Sequence, residues 1–215
     1  MAERITAILV TVIGLSVLGI FIAAVVLVAL AATGDVGEAN GCLSDQANAT
    51  GEHEVRGVNT DSTLSDAWQA KWREFDAKLD AGQSASVSFT ESESTSRSTR
   101  YLDSKDAPIK DLAICFHDGD AEAIAKVGLP ILADLPGIGD SLDTNVRVRG
   151  TMDFSGVNPR IVVSEIEAGN LPDKAAERLK GRIEGVINDR LDDLRLEHKY
   201  TPKFSEGAIE ITGTP

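Results

Sequence analysis

The feature that most constrains this chain is an uncharged apolar segment near its start. Residues 5–32 contain no charged side chain. A helix of about 20 apolar residues already crosses the hydrocarbon core of a bilayer, whereas a secretory signal peptide has an apolar region of only about 7–15 residues. The segment therefore predicts an uncleaved transmembrane helix, followed by a separate and more polar part of the chain.

The charges that flank this segment predict its orientation. Basic residues favour the cytoplasmic side of a membrane. Arg4 precedes the segment, whereas Asp35 and Glu38 follow it and the next basic residue is Arg56. We expect a single-pass protein of the cell membrane with a cytoplasmic N-terminus, an extracytoplasmic C-terminal domain and the lipid bilayer as one partner. The net charge of −13 argues against nucleic acid as a partner, because nucleic-acid-binding surfaces are basic.

Changes in composition divide the chain into three regions. Residues 1–34 are the predicted transmembrane anchor. Residues 35–63 are rich in Gly, Asn and Asp without apolar periodicity, which is typical of a linker. Residues 64–215 are long enough to bury a core, and we predict that they form one extracytoplasmic domain.

Two helices are predicted at the start of this domain. Apolar residues recur every three or four positions from Leu64 to Leu79, so this segment predicts an amphipathic helix that ends at Gly82. Its aromatic stripe suits packing on its own domain or, alternatively, contact with a membrane surface. Thr90 and Glu93 have the spacing of a capping box, which predicts a second helix over about residues 91–102.

Period-two patterns then predict an antiparallel sheet. Asp118-Gly119 is a strong hairpin signal. A two-residue turn there places Phe116 opposite Ala121 and Ile114 opposite Ala123, so that one face pairs large side chains with alanines. The other face, which carries Cys115 and its alternate neighbours, is expected to be mostly solvent-exposed. Further strands are expected around residues 144–154 and 160–169 and at the C-terminus.

A long amphipathic helix is predicted from Pro172, because apolar residues recur every three or four positions as far as Leu194. Together these elements predict an α+β fold, in which an N-terminal transmembrane helix is followed by a curved antiparallel sheet packed on a long amphipathic helix.

The sequence lacks the common signatures of catalysis. It has no Gly-x-Ser-x-Gly, no phosphate-binding loop and no dinucleotide fingerprint. Its histidines, His53, His117 and His198, lack metal-ligand spacing, and the segment His117-Asp-Gly-Asp120 is interpreted as a solvated turn rather than a metal site. We therefore predict a protein that is not an enzyme and that has no catalytic residue, cofactor or metal.

Two cysteines leave two alternatives open. Cys42 lies in the predicted linker and Cys115 on the predicted hairpin. Oxidising compartments permit a disulfide, which would hold the linker against the domain. The alternative is a pair of free thiols.

Several segments resemble bacterial membrane-anchored, lipid-binding-like domains related to the tubular lipid-binding (TULIP) group. The resemblance covers about residues 86–214 and rests on the segments FTESESTS, IKDLAICFHDGDAEAIAKV, EAGNLPDKAAERLKGRIEGVINDRL and SEGAIEITGT. It implies a long helix held in a curved antiparallel sheet, with an apolar groove that accepts acyl chains and no catalytic residues.

Two functional hypotheses follow. In the first, the domain binds or transfers a lipid or another apolar ligand without catalysis. The predicted groove lining is Leu112, Ile114, Phe116, Val146, Val148 and Met152, and the predicted mouth is Leu129, Ile131, Leu132, Leu135 and Ile138. In the second, the protein is a structural accessory subunit or assembly factor of a membrane or cell-envelope complex, with a membrane protein as its partner. A cavity in the domain would favour the first hypothesis, and a filled core the second.

Overall fold

The structure is a computed structural model of the 215-residue chain. It describes residues 41–47, 53–104, 109–128, 143–153, 160–168, 180–181, 184–185, 188 and 198–215. The helices with defined bounds are α1 (Ser62–Asp80) and α2 (Glu91–Asp103). The strands are β1 (Gly41–Ala47), β2 (His53–Gly57), β3 (Ala85–Thr90), β4 (Ile109–His117), β5 (Asp120–Gly128), β6 (Asp143–Asp153), β7 (Arg160–Ala168), β8 (Lys199–Ser205) and β9 (Ala208–Thr214).

The strands form three antiparallel sheets. β1 pairs with β2, the order β3-β9-β8 makes a three-stranded sheet, and the order β4-β5-β6-β7 makes a four-stranded sheet. The predicted fold, a single curved sheet packed on a long amphipathic helix behind a membrane span, is therefore wrong. β3 pairs with β9 at the far end of the chain, in a sheet separate from β4–β7, and the short helices α1 and α2 contribute most of the described helix. Of the segment predicted as the long helix, residues 172–194, all but 180–181, 184–185 and 188 lie outside the described residues.

The structure also corrects the predicted membrane topology. Among the described residues, no helix combines the length and the apolar character needed to cross a bilayer. The single-pass topology, the cell-membrane localisation and the transmembrane character of the protein are thus not supported. The segment on which they rested, residues 5–32, and the whole predicted anchor, residues 1–34, lie outside the described residues.

Helix α1 forms where the apolar periodicity predicted it. Asp61 caps its start by accepting a hydrogen bond from the Thr63 amide at 2.8 Å. Gly82, with φ of +76°, follows its end in the left-handed conformation that glycine adopts without a steric penalty. The aromatic stripe packs inward on the domain rather than facing outward, since Trp68, Trp72 and Phe75 are all buried.

Helix α2 has the predicted capping box. The Glu93 amide donates to Thr90 Oγ1 at 3.2 Å, and the Thr90 amide donates to Glu93 Oε2 at 3.0 Å. Its hydroxyl-bearing face is buried, with Thr95 fully enclosed. Ser96 Oγ accepts a hydrogen bond from the Asp61 amide at 3.1 Å. The serines and threonines of α2 therefore supply hydrogen bonds to neighbouring backbone where a more ordinary buried helix would carry leucine.

One aromatic core lies between α1, the three-stranded sheet and strands β4 and β5. Trp72 stacks on Trp68 with ring centroids 5.7 Å apart and also contacts Phe75 and Tyr200. The approach of α1 to β9 is close, because a Cβ atom at Gly213 would lie 2.7 Å from side-chain atoms of Phe75 and of Leu79. This core joins the three-stranded sheet to the first half of the four-stranded sheet.

The β4–β5 hairpin turns at Asp118-Gly119 with the predicted register near the turn. Phe116 lies opposite Ala121, and Ile114 opposite Ala123. Between Lys110 and Ala113 the register shifts by one residue, so that Asp111 and Leu112 together lie opposite Ala125. The shift accompanies a φ of +53° at Asp111, which marks a β-bulge.

Candidate functional site

The predicted groove lining on β4 lies inside the aromatic core. Leu112, Ile114 and Phe116 are each at most 6% exposed and belong to the same apolar cluster as the α1 aromatics. The Phe116 ring lies 6.0 Å from the Phe204 ring of β8, centroid to centroid. The side of β4 and β5 that the groove hypothesis requires is thus occupied by side chains of the domain itself.

The other predicted lining residues divide into two groups. Val146 and Val148 on β6 are buried outside the aromatic cluster, and Met152 is partly buried and packs against it. The predicted mouth lies outside the described residues: Leu129, Ile131, Leu132, Leu135 and Ile138.

Cys42 and Cys115 form a disulfide, one of the two alternatives that the sequence left open. Their Cα atoms are 5.6 Å apart, within the usual range for such bonds, and both residues are fully buried. The bond joins β1 to β4, against which β1 lies. Part of the segment predicted to be a linker, residues 35–63, is therefore a strand pair fixed to the four-stranded sheet.

The outer side of β4 and β5 is buried although the sequence predicted exposure, and β1 lies against β4, to which the disulfide fixes it. Ala113, His117 and Ile124 are at most 1% exposed, and Glu122 is 6% exposed. The polar residues His117, Asp120 and Glu122 on this side had predicted a solvent-exposed face. A covering hairpin from a Gly- and Asn-rich segment gives no local signal in the sequence of β4 and β5.

A charged network continues across this outer side. Arg147 Nε lies 3.6 Å from Glu122 Oε1, and Arg147 Nη1 donates to Glu167 Oε2 at 3.1 Å. Arg149 Nε lies 2.9 Å from each Asp120 carboxylate oxygen. Burial raises the pKa of the Glu122 carboxyl above its ordinary value, and the nearby Arg147 opposes this effect without cancelling it.

β4 is an edge strand of the four-stranded sheet, and several of its outward backbone groups are hydrogen-bonded to other parts of the domain. The Ile114 amide donates to Thr95 Oγ1 and the Phe116 amide to Glu91 Oε1, both at 2.9 Å. The Phe116 carbonyl accepts from the Gly207 amide at 3.0 Å. These partners from α2 and the β8–β9 turn occupy groups that an added strand would need.

The free edge of β7 is closed in a similar way by helical residues. Asn188 both accepts from the Ile161 amide at 2.8 Å and donates to the Ile161 carbonyl at 3.1 Å. Glu184 Oε1 accepts from the Val163 amide at 2.6 Å. Glu184 and Asn188 are four residues apart and so lie on one helix face. This spacing is visible in the sequence, but the role of the two side chains could not be predicted without knowing that β7 is an edge strand.

A separate polar cluster lies where the end of α1 meets the start of β8. One ligand-type atom from each of Asp76, Asp80 and His198 lies within 4.8 Å of the others. His198 Nε2 is 3.3 Å from Asp80 Oδ1. No sequence pattern predicted this cluster, because the two aspartates have helical i,i+4 spacing but the histidine is 118 residues away from Asp80.

The outer side of β6 and β7 is the exposed remainder of the four-stranded sheet. We call it the β6–β7 outer face and define it by Arg147, Arg149, Val162, Glu165 and Glu167. Val162 is the one large hydrophobic residue that is exposed among the described residues, at 48%. Among the described residues, β1 lies against the β4 end of this side of the sheet, and Val162 and Glu165 are exposed at the β7 end.

Comparison with known proteins adds no relationship to these observations. No protein-family model matches the chain, and no curated protein matches it. The resemblance to the TULIP group therefore stays a prediction that rests on the short segments quoted above.

Proposed function

We propose that this protein is a non-catalytic accessory subunit or assembly factor that acts by docking to another protein. The observation that carries this proposal is the burial of Leu112, Ile114 and Phe116 against aromatic rings of the same domain. Binding an acyl chain there would require these rings to move out of a close-packed cluster, which costs several favourable contacts. A filled core favours the docking hypothesis over the carrier hypothesis.

The β6–β7 outer face is the surface we assign to docking. Protein interfaces commonly have an apolar centre and a polar rim. Val162 supplies an exposed apolar side chain here, and Arg149 and Glu165 occupy the neighbouring register pair. Within the described part of the chain, β1 lies against β4 at the other end of this side, and no described element packs against the exposed Val162.

The two closed edges of the four-stranded sheet support docking by the face rather than by strand addition. Side chains from α2 satisfy the β4 amides, and Glu184 and Asn188 satisfy β7 amides. A partner strand at either edge would have to displace these bonds, and a buried amide that loses its partner is costly. A partner that covers Val162 requires no such loss.

The proposal is tested by isolating the full-length chain, with an affinity tag at its C-terminus, from cells that naturally contain it. Wild-type protein should retain one or a few other proteins in fixed stoichiometry. Val162→Glu should reduce that recovery at least tenfold, because it places a charge at the centre of the assigned face. Thr201→Glu serves as the matched control, since Thr201 is an exposed residue of β8 in the three-stranded sheet.

Two results would contradict the proposal. One is the absence of any stoichiometric protein with the wild-type chain. The other is equal recovery with wild type and Val162→Glu, which would mean that the β6–β7 outer face is not the docking surface. Near-ultraviolet circular dichroism of both variants verifies that reduced recovery does not come from unfolding.

A further inference from the structure

We propose that Asp76, Asp80 and His198 form a binding site for a divalent transition-metal ion, with zinc as the ion that fits best. The three side chains come from two elements, α1 and the residue that precedes β8. Their ligand-type atoms lie within 4.8 Å of one another. An ion bound there would join the end of α1 to the start of β8.

The spacing within the cluster suits tetrahedral coordination. Zinc bonds to histidine nitrogen and carboxylate oxygen are about 2.0–2.2 Å long, so two tetrahedral ligands lie roughly 3.3–3.5 Å apart. His198 Nε2 and Asp80 Oδ1 are already 3.3 Å apart. Asp76 stands one helical turn before Asp80 on the same face of α1, and its ligand-type oxygen lies within 4.8 Å of those of Asp80 and His198.

The chemistry of the donors favours zinc over the hard cations. Imidazole nitrogen suits zinc and its neighbours in the first transition row, whereas calcium and magnesium prefer sites made entirely of oxygen. Two carboxylates balance the charge of one divalent ion. Three protein ligands leave the fourth position of a tetrahedral ion open. Water can reach that position, because the Asp80 side chain is 63% exposed.

The histidine is held in place by the core before any ion binds. The His198 side chain is 12% exposed, and its ring meets the Tyr200 ring edge-on with centroids 6.3 Å apart. Tyr200 is itself buried against Trp72 and Phe75. An imidazole held in this way loses little conformational freedom on coordination, which favours binding.

The test uses the full-length chain without a histidine tag, stripped of metal with a chelator and titrated calorimetrically with zinc chloride. Wild type should bind one zinc ion per chain. Asp80→Asn and His198→Ala should each weaken that binding at least tenfold. Asp66→Asn is the matched control, because it makes the same substitution at an exposed position on the same helix, away from the cluster.

Asp80→Asn changes an exposed side chain, so its effect on zinc does not depend on whether His198→Ala folds well. Cobalt in place of zinc provides a second readout, since a four-coordinate ion gives an intense visible absorption that the two ligand variants should lose. No zinc binding by the wild type would overturn the proposal. Equal binding by wild type and both ligand variants would overturn it as well, because the ion would then sit elsewhere on an acidic surface.

Discussion

Removal of the Cys42–Cys115 disulfide should lower the free energy of unfolding by about 4 kcal/mol. A cross-link reduces the conformational entropy of the unfolded chain, and the reduction grows with the length of the closed loop. The two cysteines are 73 residues apart, for which the loop-closure relation gives about 4 kcal/mol at 25 °C. Since a whole domain is stable by only about 5–15 kcal/mol, this bond is expected to supply a large fraction of the total.

The structure also predicts where the loss is felt first. The disulfide is the covalent link between the β1–β2 hairpin and the four-stranded sheet. Without it, the hairpin should separate more often from β4 and admit water to His117 and Glu122, which it helps to bury. Amide hydrogen exchange in β1 and β2 should therefore accelerate before exchange in β8 and β9 does.

The assay is urea unfolding of the full-length wild type and of the double variant Cys42→Ala/Cys115→Ala, which leaves no free thiol. Wild type with a reductant should approach the double variant in stability, because both lack the cross-link. A difference below about 1 kcal/mol would refute the loop-closure argument for this protein. So would equal acceleration of amide exchange in all strands, since the hairpin would then have no special dependence on the bond.

Three further substitutions test separate parts of the account, each by urea unfolding. Thr90→Ala removes the capping hydroxyl of α2 and should cost about 1 kcal/mol, and an unchanged midpoint would contradict the capping role. Gly150→Ala places a Cβ atom 2.7 Å from the Val162 carbonyl oxygen in the neighbouring strand and should cost about 1–3 kcal/mol, and an unchanged midpoint would contradict the close approach of the two strands. Burial raises the pKa of the Glu122 carboxyl in the folded state. At a pH between the ordinary and the raised pKa, the folded state therefore holds a proton that the unfolded state has released. The contribution of Glu122 to the free energy of unfolding falls as the pH rises through that window. Glu122→Gln should therefore gain stability relative to wild type as the pH rises above the ordinary range of a glutamate carboxyl, and the opposite trend would show that the Arg147 ion pair outweighs burial.

Elements governed by local interactions were predictable from the sequence. The capping box at Thr90 and Glu93 involves residues three apart, and the predicted helix start coincides with α2. The turn at Asp118-Gly119 likewise sets the register of its own strands. The register set by the turn shifts only at Asp111, where a positive φ marks a bulge that no residue pattern predicts.

Elements governed by distant contacts were not predictable in the same way. β3 pairs with β9, with Ser86 opposite Thr212, and no local pattern in either segment specifies that partner. The predicted linker gave no sign that residues 41–47 and 53–57 form a hairpin, because its Gly- and Asn-rich composition hides the strand pattern. Burial of the outer side of β4 depends on that hairpin, so the error in one segment produced the error in the other.

The candidate sites likewise combine residues that were predictable from local patterns with residues that distant contacts bring together. The apolar residues of β4 were identified correctly as inward-facing, but the residues that fill the space beside them, such as Tyr200 and Phe204, lie more than 80 residues further along the chain. The cluster of Asp76, Asp80 and His198 depends on the end of α1 meeting the start of β8. Only a tertiary structure brings such residues together.

The most direct test of the central claim is native mass spectrometry of the purified full-length chain, followed by organic extraction of the same sample. The claim is that the inner side of β4 and β5 is filled by the domain's own aromatic side chains. It predicts the mass of the protein without a bound lipid after loosely attached molecules have been removed in the gas phase. One lipid per chain that survives this removal and appears in the extract would contradict the claim and favour a carrier of apolar ligands.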